Sequence, residues 1–270
     1  MKKIGILGGV GWASTLDYYR AIAQGASRRA AAQGHTVPVP IPPMTIESVV
    51  QAQTRALRGS PGDDPSWAAF DTVFRTALLT LQGAGCDFAI IASNTPHARL
   101  HAITRGVTLP VLSIYEATAT ATKRAAKLAT KQATKPGTAA TGANAALVLG
   151  TTVTMQSDSY AHHLAAAGIA ANAQLPDPDI AEMQSMIDDD FHGISNGDAA
   201  PKARARLLRV CNRHATPGTA IILACTELPL AFPDHLDDVS FHADGHLFIN
   251  PSAAHVQSAL DRALGDDQTP

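Results

Sequence analysis

Short apolar runs alternate with longer amphipathic stretches along this 270-residue chain. The runs predict strands at Lys3–Leu7, Phe88–Ala92, Val111–Ile114, Ala146–Leu149 and Ala220–Leu223. The stretch before the second run is the clearest helix, because its apolar residues recur at steps of three and four from Phe70 to Leu81. Strands that alternate with helices are typical of parallel β-α-β architecture, so the sequence predicts an α/β fold.

Two pairs of similar segments indicate an internal duplication. IGILGGVG at 4–11 resembles ALVLGTTVT at 146–154, which places Gly8 on Gly150, and IIASNT at 90–95 resembles IILACT at 221–226, which places Ser93 on Cys225. The offsets are 142 residues (150 minus 8) and 132 residues (225 minus 93), as expected of two similar halves with loops of different length. We therefore expect two similar sub-domains with parallel sheets, with their strand ends facing a shared cleft that holds the active site. Residues 93 and 225 would then face each other across a substrate.

Composition and charge exclude several classes of protein. The net charge of −2 does not suit a nucleic-acid or membrane-surface protein, and no segment approaches the eighteen apolar residues that cross a bilayer. The three cysteines are too few for a disulfide framework, and we expect them to be reduced. The sequence therefore predicts a cytoplasmic protein with a small-molecule substrate, and neither nucleic acid nor membrane as partner.

The predicted strand ends carry small polar residues or glycine. In parallel sheets, ligands bind at the carboxyl ends of the strands, where a following helix presents backbone N–H groups. Four such ends suit a small carboxylate, and the residues expected to bind it are Gly9, Val10, Asn94, Thr95, Thr151 and Thr226. Each residue alone could equally be a helix cap, so the binding prediction rests on their recurrence at paired ends.

Cys225 is the strongest candidate for acid/base chemistry. It ends an apolar strand, and a helix N-terminus there could lower the thiol pKa from its usual value of about 8.5. Glu227, two residues on, could orient the thiol or relay its proton. The alternative is that Cys225 is a small buried residue, which is what we predict for Cys86 and Cys211.

Three further features do not predict a cofactor or metal. GVGWAS at 9–14 approximates a dinucleotide fingerprint, but Ser14 replaces the last glycine and no acid near position 30 could hold a ribose. His242, Asp244, His246 and His255 lack the helical pair of a zinc enzyme, and solvated loop positions explain His242 and His246 better. The loop at 58–67 is either a connector or a lid, and its sequence favours neither.

Four segments carry a family resemblance. KKIGILGGVGWASTLDYYRAI at 2–22, SNTPH at 93–97, LGTTVTM at 149–155 and ACTELPL at 224–230 stand in the order found in the aspartate/glutamate racemase superfamily, and the chain resembles its aspartate racemase branch. The resemblance implies a cofactor-independent amino-acid racemase that works without pyridoxal phosphate (PLP) and forms a homodimer. It also implies two α/β sub-domains related by a pseudo-twofold axis, one of residues 1–115 with 229–270 and a second of residues 116–228, with the active site in the cleft between them.

The resemblance assigns roles residue by residue. Members usually have a cysteine at each paired strand end, so that one thiolate removes the Cα proton and the opposite thiol delivers another. Cys225 matches one of these cysteines, and Glu227 matches a residue beside the thiol. The residues that match substrate-anchoring positions are Asn94, Thr95, Thr151 and Thr226.

This chain departs from the family pattern at three positions. Ser93 stands where the first cysteine is expected, Met44 where some aspartate racemases have an arginine for the side-chain carboxylate, and Asn250 where an aspartate is common. A hydroxyl is a far weaker acid than a thiol, so only one face of Cα keeps a competent acid/base. The sequence therefore predicts a weak or one-directional racemase of aspartate or glutamate.

Ser93 is also compatible with three alternatives. The chain could be a single-cysteine decarboxylase of a substituted malonate, which needs only one protonation. It could be an inert ligand-binding relative, or Ser93 could be an introduced replacement of a native cysteine.

Overall fold

The chain has an α/β fold that divides into two compact units. The computed structural model describes residues 1–35, 39–60, 62–133, 144–172, 174–191 and 200–265. Unit 1 comprises Met1–Ile114 and Ser252–Pro270, and unit 2 comprises Tyr115–Pro251. The α/β class with parallel sheets, predicted from the alternating pattern, is confirmed.

The elements follow one another as strands and helices along most of the chain. The strands are β1 (Ile4–Gly8), β2 (Met44–Ser48), β3 (Phe88–Ile91), β4 (Ala145–Gly150), β5 (Ala170–Ala171), β6 (Thr219–Ala224), β7 (Ser240–Ala243) and β8 (His246–Ile249). The helices are α1 (Trp12–Ala32), α2 (Gln51–Ala56), α3 (Ala68–Gly83), α4 (Leu100–Ile103), α5 (Ile114–Ala133), α6 (Thr152–Met155), α7 (Ser159–Ala166), α8 (Asp177–Met186), α9 (Ala200–His214) and α10 (Pro251–Leu264).

Unit 1 contains a parallel sheet in the order β2-β1-β3. The helix predicted over 70–81 is confirmed as α3, whose apolar stripe is buried and whose C-terminal turn ends at Gly85, with φ +72°. The strand predicted at Val111–Ile114 is wrong. Only Val111 pairs with Ala89, as a single bridge, and Ile114 already begins α5. The pattern did not reveal β2, because its residues are half-buried or exposed at the sheet edge.

The C-terminal helix completes the core of unit 1. Residues of β1, β3 and α1 pack against one face of α10, and the cluster includes Ile4, Ile6, Phe88, Ile90, Tyr18, Ile22, Val256, Ala259 and Leu260. The Lys2 N–H donates to Ala263 O (2.8 Å), and Arg29 forms an ion pair with Asp261. Both ends of the chain are therefore fixed to the same unit.

Unit 2 contains a five-stranded sheet in the order β5-β4-β6-β8-β7, with only β7 antiparallel to its neighbour. Its sheet packs on α8 and α9 through Leu147, Leu149, Ile221, Leu223, Met183, Met186, Leu207 and Val210. The predicted boundary at 228/229 differs from the structure. Phe248 of β8 pairs with Ile221 of β6, so the chain stays with unit 2 as far as Pro251. The short β7–β8 hairpin gave too weak a pattern to be recognised.

The strand pair β1–β3 of unit 1 is paired in the same way as the strand pair β4–β6 of unit 2. In unit 1, Leu7 pairs with Ile91, and the Ala92 N–H donates to Leu7 O (2.9 Å). In unit 2, Gly150 pairs with Ala224. Since Ser93 follows Ala92 and Cys225 follows Ala224, the two residues hold equivalent positions within their own sheets, as the internal repeat predicts.

The loop at 58–67 is held closed by its own contacts. Trp67 is buried, and its Nε1–H donates to Ser60 O (3.0 Å). The Ser60 N–H donates to Ser66 Oγ (2.9 Å), and the Arg99 guanidinium lies 5.6 Å from the Trp67 ring. Of the two interpretations left open by the sequence, these contacts favour a fixed connector.

Among the helices of the described residues, none is long and apolar enough to cross a membrane.

Candidate functional site

The end of β1 is a tight turn that only glycine can form. Gly9 has φ +86°, and a Cβ there would lie 2.0 Å from Val49 O. A Cβ on Gly8 would lie 2.4 Å from Thr15 Cγ2. The Gly9 N–H donates to Thr15 Oγ1 (2.9 Å), so this donor is already satisfied within the protein. Gly9 therefore allows the backbone turn at the end of β1, and its neighbour Val10 is buried.

The end of β3 is a buried turn of polar residues. Ser93, Asn94 and Thr95 are 9%, 4% and 4% exposed, which is unusual for polar side chains. The Ser93 N–H donates back to Ile91 O (2.8 Å), and the His97 N–H donates to Asn94 O (3.0 Å). The structure thus brings three of the predicted site residues together in one turn, directly after the strand.

The end of β4 is tied to a distant helix. Thr151 and Thr154 join through their hydroxyls (3.1 Å), and the Thr152 N–H donates to Gln184 Oε1 of α8 (2.9 Å). Gln184 in turn donates through Nε2 to Asp188 (2.8 Å). The Thr152 N–H, which the sequence predicts to face a ligand, therefore already has a partner within the protein. Thr151, at the end of the strand, is half-exposed.

The end of β6 pairs a thiol with a carboxylate. Cys225 is 8% exposed, and its Sγ donates to Glu227 Oε2 at 3.7 Å, a length normal for sulfur. Thr226 and Glu227 are half-buried. The other two thiols are buried elsewhere, and burial raises the pKa of Cys211 to about 12, so that this thiol stays protonated. Among the cysteines, Cys225 is the one at a strand's carboxyl end.

The helices that follow Ser93 and Cys225 are too short to act as predicted. A five-residue 3-10 helix, Thr95–Arg99, follows the first, and a four-residue one, Leu228–Ala231, follows the second. Each has a proline near its start, which removes a backbone N–H. The helix N-terminus expected after Cys225 is therefore a single turn, which carries little of a helix macrodipole.

Two of the family departures lie away from the strand ends on which the site was predicted. Met44 begins β2 and pairs with Ile4, at the amino end of the sheet, and it packs on the core. Its identity therefore does not bear on a substrate at the carboxyl end, contrary to the expectation from the sequence. Asn250 is 1% exposed, and its Nδ2 donates to Leu236 O (3.0 Å), which fixes the segment after β8.

The histidines considered for metal binding belong to different units. His246 contacts Asn212 in unit 2 (2.8 Å), whereas His255 is buried in unit 1 against Tyr18. In the described part of the chain, no group of three or more His, Cys, Asp or Glu side chains is arranged to hold a metal ion.

Sequence reasoning missed the residues that support the strand ends. Thr15 had a local signal, because a threonine hydroxyl can donate to the backbone carbonyl four residues earlier. Here Thr15 Oγ1 donates to Gly11 O (3.2 Å). Gln184 had no local signal, because 32 residues separate it from Thr152.

Comparison with known proteins gives the same family over nearly the whole chain. The family model described as Asp/Glu/Hydantoin racemase matches residues 7–259. This range runs from the end of β1 into α10 and includes all four strand ends.

Solved structures show the same fold. An aspartate racemase homologue from Pyrococcus horikoshii OT3 is 23% identical with a TM-score of 0.65, covering 98% of this chain and 100% of that chain. A putative Asp/Glu racemase from Yersinia pestis is 24% identical with a TM-score of 0.69 and the same coverage. The Picrophilus torridus aspartate racemase is 19% identical with a TM-score of 0.66, covering 98% and 95%. At these identities the likeness shows the fold alone.

Proposed function

Because the chain belongs to the Asp/Glu/Hydantoin racemase family, as its sequence resemblance predicts, we propose that it transfers protons at the Cα of a small carboxylate substrate. The substrate class proposed first is an acidic amino acid, aspartate or glutamate. The reaction is proposed to proceed without PLP, with hydrogen bonds to the substrate carboxylate stabilising the charge that develops when Cα loses its proton. The groups proposed to supply them are Asn94, Thr95, Thr151 and Thr226.

One observation carries the proposal, namely the thiol of Cys225 beside the Glu227 carboxylate at the end of β6 (3.7 Å). As a thiolate, Cys225 takes the Cα proton and becomes a thiol. As a thiol, it returns a proton to the carbanion. Glu227 is close enough to accept the thiol proton or to give it back, so the pair can reset between turnovers. These roles are the ones that a general acid/base requires.

Ser93 limits the proposed reaction to a weak or one-directional one. A racemase needs a second group for the other face of Cα, and the internal repeat, which makes Ser93 the counterpart of Cys225, supports residue 93 for that role. A serine hydroxyl is a much weaker acid than a thiol and needs an activating base. We therefore expect faster Cα exchange from one enantiomer than from the other.

Ser93 also favours a second candidate function. Decarboxylation of a substituted malonate breaks a C–C bond, releases CO₂ and leaves a carbanion that needs a single proton. Cys225 alone can deliver that proton. The two candidates differ in their products, because a decarboxylase releases CO₂ and yields one enantiomer.

The test for racemisation is proton exchange at Cα, followed by NMR in D₂O for each enantiomer of aspartate and glutamate. The test for decarboxylation is CO₂ release from substituted malonates, with deuterium incorporated at Cα of the product. Cys225→Ser should lower the rate about a hundredfold or more, the scale for losing a positioned proton-transfer group. Cys86→Ser is the matched control, because Cys86 precedes β3 instead of following a strand, and it should keep the wild-type rate. Equal rates in wild type and Cys225→Ser would remove the thiol from the mechanism. Absence of exchange with every compound would favour an inert ligand-binding relative.

A further inference from the structure

His97 lies buried beneath the turn that carries Ser93. Its side chain is 4% exposed, and its two ring nitrogens contact backbone groups of two different segments. Nε2 lies 3.3 Å from Ile91 O, the last carbonyl of β3, and Nδ1 lies 3.4 Å from the Ile114 N–H at the start of α5. The ring thus spans the base of the turn and the end of the next segment of unit 1.

These two contacts define one state of the imidazole. A backbone N–H can only donate, so Nδ1 must accept from Ile114, and the ring proton must sit on Nε2, which donates to Ile91 O. Ile91 O already accepts from the Ser93 N–H (2.8 Å), so both donors to this carbonyl come from the same turn. A neutral ring of this tautomer closes residues 91–97 into a hydrogen-bonded loop.

A second buried histidine, His255, fixes the segment before α5, whose Ile114 N–H donates to His97. His255 is fully buried, its Nε2 lies 3.1 Å from Leu112 O, and its Nδ1 lies 3.2 Å from the Tyr18 hydroxyl. The two imidazole rings meet edge to face with centroids 5.3 Å apart. His255 holds the segment before α5 without any of these bonds reaching residues 91–95, so the two histidines have separable roles.

We propose that His97 is a positioning residue, which holds the Ser93–Asn94–Thr95 turn through its Nε2–H bond to Ile91 O. Its consequence for turnover rests on the proposed function, because that function uses Ser93, Asn94 and Thr95. Loss of the bond frees the turn to shift, and a misplacement of about 1 Å in an active site lowers turnover on the order of a hundredfold.

Three substitutions separate the two ends of the ring. His97→Gln can place an amide N–H at the position of Nε2 and still donate to Ile91 O. The shorter side chain of His97→Asn reaches only the position of Nδ1, where its Oδ1 can accept from the Ile114 N–H. His97→Phe keeps the ring shape and makes neither bond. We expect His97→Gln to retain kcat within about threefold. His97→Asn and His97→Phe should lower kcat about a hundredfold, with a much smaller change in KM. His255→Gln is the control, because it perturbs the same core and removes the ring that packs on His97, while the hydrogen bonds of His255 go to Leu112 and Tyr18 and leave the Nε2–H bond of His97 to Ile91 O in place.

Hydrogen–deuterium exchange of the peptide covering residues 92–97 provides a readout that does not depend on activity. Faster exchange there in His97→Asn and His97→Phe than in His255→Gln, with protection restored in His97→Gln, would support the proposal. Equal exchange in all variants would overturn it, and so would a loosened turn with unchanged kcat. If the wild type turns over no substrate, the proposed function fails, and the exchange comparison still decides whether His97 holds the turn.

Discussion

Protonation of His255 should destabilise unit 1 in mild acid. The imidazole is fully buried, and burial lowers its pKa from the ordinary value of 6.5 to about 4. In the folded state Nδ1 accepts from the Tyr18 hydroxyl, so a proton added there would also break that bond. We predict that His255→Gln, which has no titrating group, removes this sensitivity to acid.

The sign and size follow from the two pKa values. In the unfolded chain the imidazole takes up a proton near pH 6.5, whereas in the folded chain it does so only near pH 4. Between these values the unfolded state binds more protons, so the free energy of unfolding falls as the pH falls. Above about pH 6.5 the His255 imidazole is neutral in both states and does not lower the free energy of unfolding. By pH 4 its protonation in the unfolded chain lowers the free energy of unfolding by about 3 kcal/mol. Such a loss is a large part of the stability of an ordinary domain.

Urea unfolding at pH 7, 6, 5 and 4 measures this loss. The chain's two tryptophans, Trp12 and Trp67, both belong to unit 1, so their fluorescence reports on the unit that contains His255. His255→Gln should be less stable than wild type at pH 7, because it disturbs the core. Its stability should nevertheless fall about 3 kcal/mol less than that of wild type between pH 7 and pH 4.

The comparison with wild type is essential, because other groups titrate in the same range. His246→Gln serves as the control, since His246 is half-buried in unit 2, where its ring contacts Asn212. It should leave the acid dependence of the tryptophan signal unchanged. Parallel pH profiles for wild type and His255→Gln would refute the reasoning, because they would mean that the imidazole has the same proton affinity in both states.

Three other substitutions have expected outcomes. Ser93→Cys adds the missing thiol and should raise the rate of Cα exchange most for the enantiomer that the wild type exchanges slowly, as measured by NMR in D₂O. No gain in exchange with any ligand would contradict the paired-base mechanism. Gly9→Ala should cost about 2 kcal/mol or more in urea unfolding, because it combines a positive φ with a clash at Val49 O; Gly34→Ala, with φ +82° and open space, should cost less. Asp71→Asn breaks the bidentate pair with Arg99 (2.7 and 3.1 Å) and should cost about 3 kcal/mol by the same assay; Asp64→Asn, whose carboxylate is exposed, should have a smaller effect, and equal losses would contradict the assignment.

The sequence predicted what depends on local pattern. Buried parallel strands such as β1, β3 and β6 form continuous apolar runs, and α3 has a regular apolar period, so both were recognised. The edge strand β2 and the hairpin β7–β8 are partly exposed and short, and their pattern does not differ from that of loops. The position of the second boundary was missed for the same reason.

The candidate site shows a similar division. Ser93 and Cys225 were found because each ends a buried run, and the internal repeat makes them equivalent. The groups that hold the end of β4 and the segment before α5 could not be found, because Gln184 reaches Thr152 and His255 reaches Leu112 over separations of 32 and 143 residues. Such contacts depend on how helices pack on sheets, which no local spacing encodes. The short helices after the strand ends were also missed, although Pro96 and Pro229 signal the interruption.

The return of α10 to unit 1 determines the order in which the units can be completed during synthesis. Unit 2 is one continuous segment, so all of its strands are available once residue 251 has left the ribosome. Residues 1–114 of unit 1 precede unit 2, yet their core lacks Val256, Ala259 and Leu260 until α10 emerges. We therefore expect the first unit synthesised to be the last one finished, with the apolar face of α1 and the β1–β3 sheet uncovered in the meantime. A chain that stops before Ser252 should keep unit 2 and lose unit 1.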